Sequence, residues 1–246
     1  MPLTKATQNP VSFIRNIRNF GINGHANSSG GASAAGAGGF AVNCGTTATA
    51  YGKTAYSSAY SQLQQRSGAG IDLTSGVGVF GVGMFNIGTS VAGQAFRMIV
   101  GDDSQSTAPA NSVTNAISTR GFGFEIFNNS GVRTVRLFAH DGTTYSTSSG
   151  VAGFDFSSLN KLHLFWVKND SAGNIYLHMV ETTGTNNGGF PAFPADPIIT
   201  MTGGPTANTS AKRYVTGQAI TDGTNNPASA NAVLCQVEEI YFTQGI

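Results

Sequence analysis

Two histidines and two aromatic residues are the side chains best placed for chemistry. They fall in two runs, 162–167 and 174–180, which alternate between apolar and other residues with the period of two that is typical of β-strands. The register that puts both apolar sets on one buried face pairs residue 164 with 177 and residue 166 with 175. On the other face this register brings together four side chains, His163 opposite His178 and Phe165 opposite Tyr176. The sequence therefore predicts an aromatic and imidazole patch that can stack on a sugar or a partner, with a solvated patch that binds nothing as the alternative.

Other motifs indicate that the protein is not an enzyme. Residues 76–81 fit the pattern Gly-x-Gly-x-x-Gly, but they continue as a β-type run, whereas a dinucleotide site needs this loop between a strand and a helix. A glycosidase needs two carboxylates about 5–10 Å apart across the sugar bond, and the acidic residues here are scattered. No Gly-x-Ser-x-Gly nucleophile motif is present. We therefore expect no catalytic residue and no cofactor.

Two acidic segments raise the question of a metal. Asp102–Asp103 and residues 222–226 contain oxygen ligands of the kind that Ca²⁺ prefers, and turn formation explains the same residues equally well. His163 and His178 have no third ligand nearby in the sequence, which argues against zinc. The sequence assigns no metal ligand and leaves calcium open.

The composition excludes several partners. Charged residues make up 10% of the chain and the net charge is +1, whereas charged residues are about 25% of a typical soluble domain. This balance predicts no nucleic-acid binding. No apolar run of about 18 residues is present, which predicts no membrane span, and polar residues interrupt the N-terminal region where a secretory signal would be apolar.

The elements that would position these residues are β-strands. From residue 40 onward, β-type runs alternate with clusters of Gly, Asn, Asp, Ser and Pro. They predict an all-β, two-sheet antiparallel sandwich. The predicted strands are 40–44, 48–60, 77–87, 94–100, 122–127, 132–140, 143–148, 162–168, 174–181, 197–202, 213–219 and 232–243.

Two turns define a predicted meander over residues 122–148. Asp141–Gly142 fits a two-residue turn, which pairs Phe138 with Tyr145. The turn at residues 128–131 pairs Phe124 with Val135, and it places Glu125 on the opposite face with Thr134 and, diagonally, Arg136.

Residues 1–39 are predicted to be an arm, and residues 40–246 the sandwich domain. The apolar residues near position 17 fit a short amphipathic helix between Pro10 and Gly21 or, as the alternative, an extended arm. The Gly- and Ala-rich residues 30–39 predict a linker. The first 71 residues carry +5, so the remainder carries −4 to give the net +1; this is either chance or a docking device for an acidic partner surface. The candidate docking residues are Phe13, Ile14, Arg15, Ile17, Arg18 and Phe20.

From about Phe40 to Ile246 the succession of strands resembles a laminin-G-like, concanavalin A-type jelly roll. The resemblance rests on five stretches: residues 76–85, residues 96–102, the meander that ends at Asp141–Gly142, the hairpin of residues 162–178 and the closing strand 237–242. It implies a jelly-roll sandwich in which the first and last strands pair. Cys44 and Cys235 lie on those strands, and we interpret them as two buried small apolar residues.

The uncharged surface and the appended arm also resemble bacteriophage virion proteins of the capsid decoration and tail receptor-binding types. This resemblance implies a non-enzymatic structural protein of a virion assembled in the host cytoplasm, namely a capsid decoration protein attached through its arm to a major capsid protein or another virion protein. It also implies a homo-oligomer, namely a trimer. The alternative function is a carbohydrate-binding or receptor-binding module, with a glycan as its partner.

Overall fold

The computed structural model describes thirteen parts of the chain, all but one of which contain β-strands. The described residues are 14–16, 24–29, 32–36, 39–43, 55–63, 73, 76–87, 94–101, 116–129, 131–183, 194–207, 213–221 and 233–244. The strands within them are β1 (Ile14–Asn16), β2 (Gly24–Ser29), β3 (Ala32–Gly36), β4 (Gly39–Asn43), β5 (Ala55–Leu63), β6 (Val77–Ile87), β7 (Gln94–Gly101), β8 (Gly121–Asn129), β9 (Val132–His140), β10 (Tyr145–Thr147), β11 (Ser157–Asn169), β12 (Ile175–Thr183), β13 (Ile199–Met201), β14 (Arg213–Thr221) and β15 (Val233–Gln244).

The strands form two antiparallel sheets that face each other. One has eight strands, in the order β13-β12-β11-β6-β15-β4-β3, with β1 paired to β15 outside this path. The other has seven strands in the order β10-β9-β8-β7-β14-β5-β2. The predicted class, an all-β two-sheet antiparallel sandwich, is confirmed. In the ranges that the structure describes, no helix has the length and hydropathy needed to cross a bilayer.

The core lies between the two sheets and is rich in phenylalanine. Phe85 of β6 packs on Phe96 of β7, with ring centroids 4.9 Å apart, and Phe165 of β11 packs on Phe124 of β8 at the same distance. Cys235 of β15 belongs to this core as a free thiol, and burial raises its pKa. This agrees with its interpretation as a small apolar residue, while Cys44 lies outside the described residues.

The predicted meander is confirmed, although both of its turns differ in length from the prediction. Phe124 lies opposite Leu137 instead of Val135, because the β8–β9 turn has two residues. Tyr145 lies opposite His140, and the Asp141 side chain accepts hydrogen bonds from the Thr143 and Thr144 amides within a four-residue loop. Each register moves by two residues, so every side chain keeps its predicted face.

The N-terminal predictions are only partly correct. Ile14–Asn16 is a strand paired with β15, so the helix is wrong there and the extended alternative fits. Ala32–Gly36, predicted to be linker, is instead an edge strand of the eight-stranded sheet, and β2 is an edge strand of the seven-stranded sheet. Removal of residues 1–39 would therefore take edge strands from both sheets. The separate role of residues 1–39 as a docking arm stays a prediction.

The outer face of the seven-stranded sheet is partly covered by the chain itself. Ala116 and Ile117 pack on Ile99 and Phe138, and the Tyr145 hydroxyl accepts a hydrogen bond from the Ala116 amide. On the same face, Gly123 of β8 lies very close to the backbone of the neighbouring strand β7. A Cβ atom at this position would overlap with the Met98 carbonyl oxygen, so the sheet has no room for one.

We expect Gly123→Ala to destabilise the protein by about 1–3 kcal/mol or more, the cost typical of overpacking a tight core. The atom in the way belongs to backbone held in the β7–β8 ladder, so the ladder itself must move. Urea unfolding of both proteins measures the loss. Gly153→Ala is the control, because its new methyl group meets nothing within 4 Å and it reports only the strain of a φ of +112°. A Gly123→Ala protein as stable as the parent would contradict the prediction.

Candidate functional site

The structure does not form the predicted patch of two histidines and two aromatic rings. β11 and β12 pair with Trp166 opposite His178 and His163 opposite Glu181. The predicted register is thus wrong by three residues, an odd number, which moves one strand's side chains to the other face of the sheet. His163 and Phe165 point into the core, whereas Tyr176 and His178 lie on the outer face of the eight-stranded sheet.

The prediction was wrong because β11 is buried on both faces. All five residues from His163 to Val167 are buried, so Leu164 and Trp166 on one face give the same apolar signal as Phe165 and Val167 on the other. Alternation alone therefore cannot select between the two registers.

On the outer face, Tyr176 and His178 join a row of stacked side chains. The His178 ring stacks on Trp166 with centroids 5.1 Å apart, and the Lys168 ammonium lies 4.5 Å from the Trp166 ring centroid and 5.1 Å from that of Tyr176. Trp166 and His178 are about 95% buried, and His178 Nδ1 lies 3.1 Å from the Pro194 carbonyl oxygen. Lys168 already occupies the faces of both aromatic rings, so this row is a poor platform for a sugar.

A different group of polar side chains meets at the end of the sandwich where β11 begins. After β10 the chain pairs Val151 with Val135 at the edge of the seven-stranded sheet, and the Phe156 carbonyl oxygen then accepts a hydrogen bond from the Ile87 amide of the other sheet. We call residues 152–156 the crossover. Within the crossover, Asp155 lies beside Glu181 near the end of β12, and the Asp155 amide donates to Glu181 Oε2 at 2.5 Å.

Three further side chains complete what we call the crossover cluster, which consists of Phe154, Asp155, Lys161, His163 and Glu181. Lys161 Nζ donates to Glu181 Oε1 at 3.2 Å, and His163 Nε2 lies 3.3 Å from Glu181 Oε2. The ring of Phe154, partly buried, lies 6.5 Å from that of His163. The Lys161 and Glu181 side chains are 26% and 23% exposed, so the cluster reaches the surface.

Both carboxylates of the crossover cluster are held ionised. Hydrogen bonds from the Ser157 side chain and amide lower the pKa of Asp155, and the charges of Lys161 and Arg133 add to this effect. Burial, the largest single influence on Glu181, raises its pKa, but the Asp155 amide and Lys161 together outweigh burial and lower it. Within the described part of the chain, Asp155 Oδ2 accepts no hydrogen bond.

His163 lies behind Glu181 in an apolar setting. Its ring centroid is 4.8 Å from that of Phe156 and 5.5 Å from that of Phe85, and Nδ1 is buried with no hydrogen-bond partner. The neutral ring therefore carries its proton on Nε2 and donates it to Glu181. Burial lowers the pKa of His163 to about 4, although Glu181 opposes this shift.

The crossover cluster does not fit a calcium ion. Lys161 and His163 occupy positions against Glu181 that a cation would need, and no three His, Cys, Asp or Glu side chains of the described residues converge as metal ligands.

The two acidic segments considered for calcium, Asp102–Asp103 and residues 222–226, lie outside the described residues, as do the docking candidates Phe13, Ile17, Arg18 and Phe20.

Sequence reasoning missed this cluster because its members come from three separate elements. Asp155 follows an edge strand, Lys161 lies within β11 and Glu181 lies near the end of β12. The one local signal is the Asp-x-Ser pattern at residues 155–157, in which the Asp side chain caps its own turn.

Comparisons with known proteins report on the fold. No protein-family description matches the sequence, and no curated protein matches it. Among solved structures, a legume lectin-like domain from Entamoeba histolytica matches with a TM-score of 0.51 and 11% identity, covering 90% of each chain. Lectin II from Ulex europaeus matches with a TM-score of 0.51 and 9% identity, covering 95% of this chain and 98% of the lectin. The exoplasmic/lumenal domain of VIP36, in a form bound to Ca²⁺ and Man3GlcNAc, matches with a TM-score of 0.54 and 8% identity, covering 90% of this chain and 83% of that domain. The protein therefore has the legume lectin-like, concanavalin A-like jelly-roll fold.

Proposed function

We propose that the protein is a carbohydrate-binding module that holds a neutral glycan at the crossover cluster and does not cleave it. Sugar hydroxyl groups donate and accept hydrogen bonds, so they pair well with a carboxylate and an ammonium group set side by side. Glu181 and Asp155 supply acceptors, Lys161 supplies donors, and the ring of Phe154 supplies an apolar edge. The charges of Lys161 and Arg133, both close enough to lower the pKa of Asp155, balance the charges of Asp155 and Glu181. This balance favours an uncharged sugar.

The observation that carries the proposal is geometric: Lys161 lies beside Glu181 at the surface, next to Asp155, whose Oδ2 accepts no hydrogen bond within the described residues. The lowered pKa of both Asp155 and Glu181 adds that neither carboxylate is kept protonated. A glycosidase of the common two-carboxylate kind keeps one carboxylic acid protonated at working pH by raising its pKa. Here the surroundings act in the opposite direction on both groups. The pair can accept hydrogen bonds from a ligand at neutral pH, but neither residue is suited to protonate a leaving group.

The fold supports the same function. Structures with this fold include the lectin UEA-II complexed with galactose and the domain of VIP36 in a form bound to Ca²⁺ and Man3GlcNAc. Their low identity does not identify the sugar. Of the two functions that the sequence predicts, these neighbours favour glycan binding; the role in a phage particle, with its trimer and capsid partner, stays a prediction.

Glycan-array screening followed by calorimetry tests the proposal. We expect the protein to bind an uncharged glycan, and we expect Asp155→Asn to weaken that binding about tenfold or more, because a charge-assisted hydrogen bond becomes a neutral one. The asparagine can still accept from Ser157, so the turn should survive. Asp141→Asn is the matched control, since Asp141 also caps a turn through Oδ1 but lies in the β9–β10 loop. Absence of any bound glycan, or equal affinity for the parent and Asp155→Asn, would refute the proposal.

A further inference from the structure

A row of charged side chains crosses the outer face of the seven-stranded sheet, on a different surface from the crossover cluster. Arg97 of β7, Glu125 of β8 and Arg136 of β9 stand directly opposite one another in the strand registers. Arg97 and Glu125 are almost completely buried, whereas the Arg136 side chain is 21% exposed. The row therefore leads from the covered part of the sheet to its surface.

Glu125 uses only one edge of the Arg136 guanidinium group. Its Oε1 accepts from Arg136 Nε at 2.6 Å and lies 2.5 Å from Nη2, which together form the side edge of the group. Its Oε2 accepts from Arg97 Nε at 2.5 Å, so the carboxylate is shared between two arginines. Arg136 Nη1 has no hydrogen bond in the described part of the chain. The end edge of the fork, formed by Nη1 and Nη2, is thus left to solvent or a ligand.

Arg136 is also fixed in place before any ligand arrives. Its guanidinium carbon lies 4.2 Å from the centroid of the Phe127 ring, which covers one face of the planar group. Contact with an aromatic face and a two-point ion pair remove most of the rotational freedom that a surface arginine would otherwise lose on binding.

The immediate surroundings contain no competing carboxylate among the described residues. Along β9 the residues that share this face with Arg136 toward the β8–β9 turn are Thr134 and Val132, and Val132 is 55% exposed. On β8 the neighbour toward the turn is Phe127, and the only acidic group of the row is Glu125, already paired. The exposed guanidinium edge thus meets an uncharged, partly apolar surface.

We propose that this edge of Arg136 binds the carboxylate group of an acidic sugar of the uronic acid class, where the choice of a sugar over another carboxylate rests on the glycan-binding function proposed above. A carboxylate is planar and has two oxygens at the spacing of the guanidinium fork, so it can accept from Nη1 and Nη2 together. A guanidinium group has only donors and is cationic, so it favours a carboxylate over a neutral oxygen. This second subsite is independent of the neutral-glycan site proposed at the crossover.

The test is an NMR titration of ¹⁵N-labelled protein with glucuronate and, separately, with glucuronamide, its uncharged analogue. We expect glucuronate to shift the amide signals of Phe127 and of residues 134–136 and glucuronamide to shift them little or not at all. Arg136→Lys keeps the charge but loses the fork, and it should weaken glucuronate binding about tenfold. Arg120→Lys is the matched control, because the Arg120 guanidinium lies beside Gly142 of the β9–β10 loop, and it should leave the affinity unchanged.

Three results would overturn this inference: no shifts with glucuronate, equal shifts with both compounds, or the same glucuronate affinity in Arg136→Lys as in the parent. The comparison of the two sugars on the parent protein decides the matter even if Arg136→Lys folds poorly. Asp155→Asn should leave glucuronate binding intact, so failure of the crossover site and failure of this subsite are distinguishable.

Discussion

Replacement of Glu125 by leucine is expected to cost the protein about 3–5 kcal/mol of its free energy of unfolding, the range found when one partner of a buried ion pair is removed. Glu125 is 1% exposed and binds Arg97, which is fully buried, and Arg136. Arg97 Nη1 already donates to the Gln218 amide oxygen at 3.5 Å, and after the change Arg97 Nε would lose its carboxylate partner at 2.5 Å. A buried charge that loses its counter-charge keeps its full desolvation cost.

Urea unfolding of Glu125→Leu measures this loss. Lys161→Met is the control, because it breaks the partly exposed pair with Glu181 and should cost less than about 1 kcal/mol. Adding Arg97→Met to Glu125→Leu should recover much of the stability, since an apolar pair of similar volume replaces the buried ions. A loss below about 1 kcal/mol in the single variant would show that the row does not stabilise the sheet.

Acidification from pH 7.5 to pH 5 is expected to destabilise the protein by about 2 kcal/mol through His163 alone, given its shift from an ordinary pKa of 6.5 to about 4 in the folded state. Because the folded-state pKa lies below the unfolded one, the unfolded chain binds more protons throughout this window. Stability is therefore fully present above pH 6.5 and falls as the pH drops toward 4. The cause is structural, since a second proton would go to Nδ1, which is enclosed by phenylalanine rings.

The measurement is the free energy of unfolding at the two pH values for the parent and for His163→Leu. The variant leaves Glu181 with Lys161 and the Asp155 amide, and it should lose about 2 kcal/mol less on acidification than the parent. His178→Gln serves for comparison: burial also lowers the pKa of His178, but the Pro194 carbonyl opposes this shift, so a smaller change is expected. An unchanged pH dependence in His163→Leu would contradict the assignment.

The two hairpins of the meander show why the face on which a side chain lies can be predicted from the sequence. In β8 and β9 most apolar residues share one parity, with Phe122, Phe124 and Ile126 opposite Ala139, Leu137 and Val135. Phe127 and Phe138 are apolar residues of the other parity, and they lie on the outer face. An error in turn length moved the predicted register by two residues and left every face correct. Even the association of Glu125 with Arg136 followed from this alternation, although the structure places the two directly opposite instead of diagonally.

The β11–β12 hairpin shows where this reasoning fails. β11 is buried on both faces, so its sequence satisfies two registers of opposite parity. The structure selects the one in which Phe165 meets Phe124 of the other sheet and Trp166 meets His178 on the outer face. The first contact joins residues about 40 positions apart and the second joins residues 12 positions apart. The periodicity of a single strand cannot predict such contacts.

Sequence patterns alone predict the sandwich class and most strand positions from residue 40 onward, because a strand with one solvated face must alternate and a tight turn needs Gly, Asn or Asp. They miss the three strands before residue 39. Strands at 77–87 and 132–140 were predicted with the bounds that the structure has. The candidate sites, in contrast, depend on tertiary contacts. The crossover carries Asp155 against Glu181 of a neighbouring sheet, and burial depth sets the protonation of His163. Both features depend on which segments pack together. That packing is set by contacts between the two sheets, whose residues are far apart in the sequence.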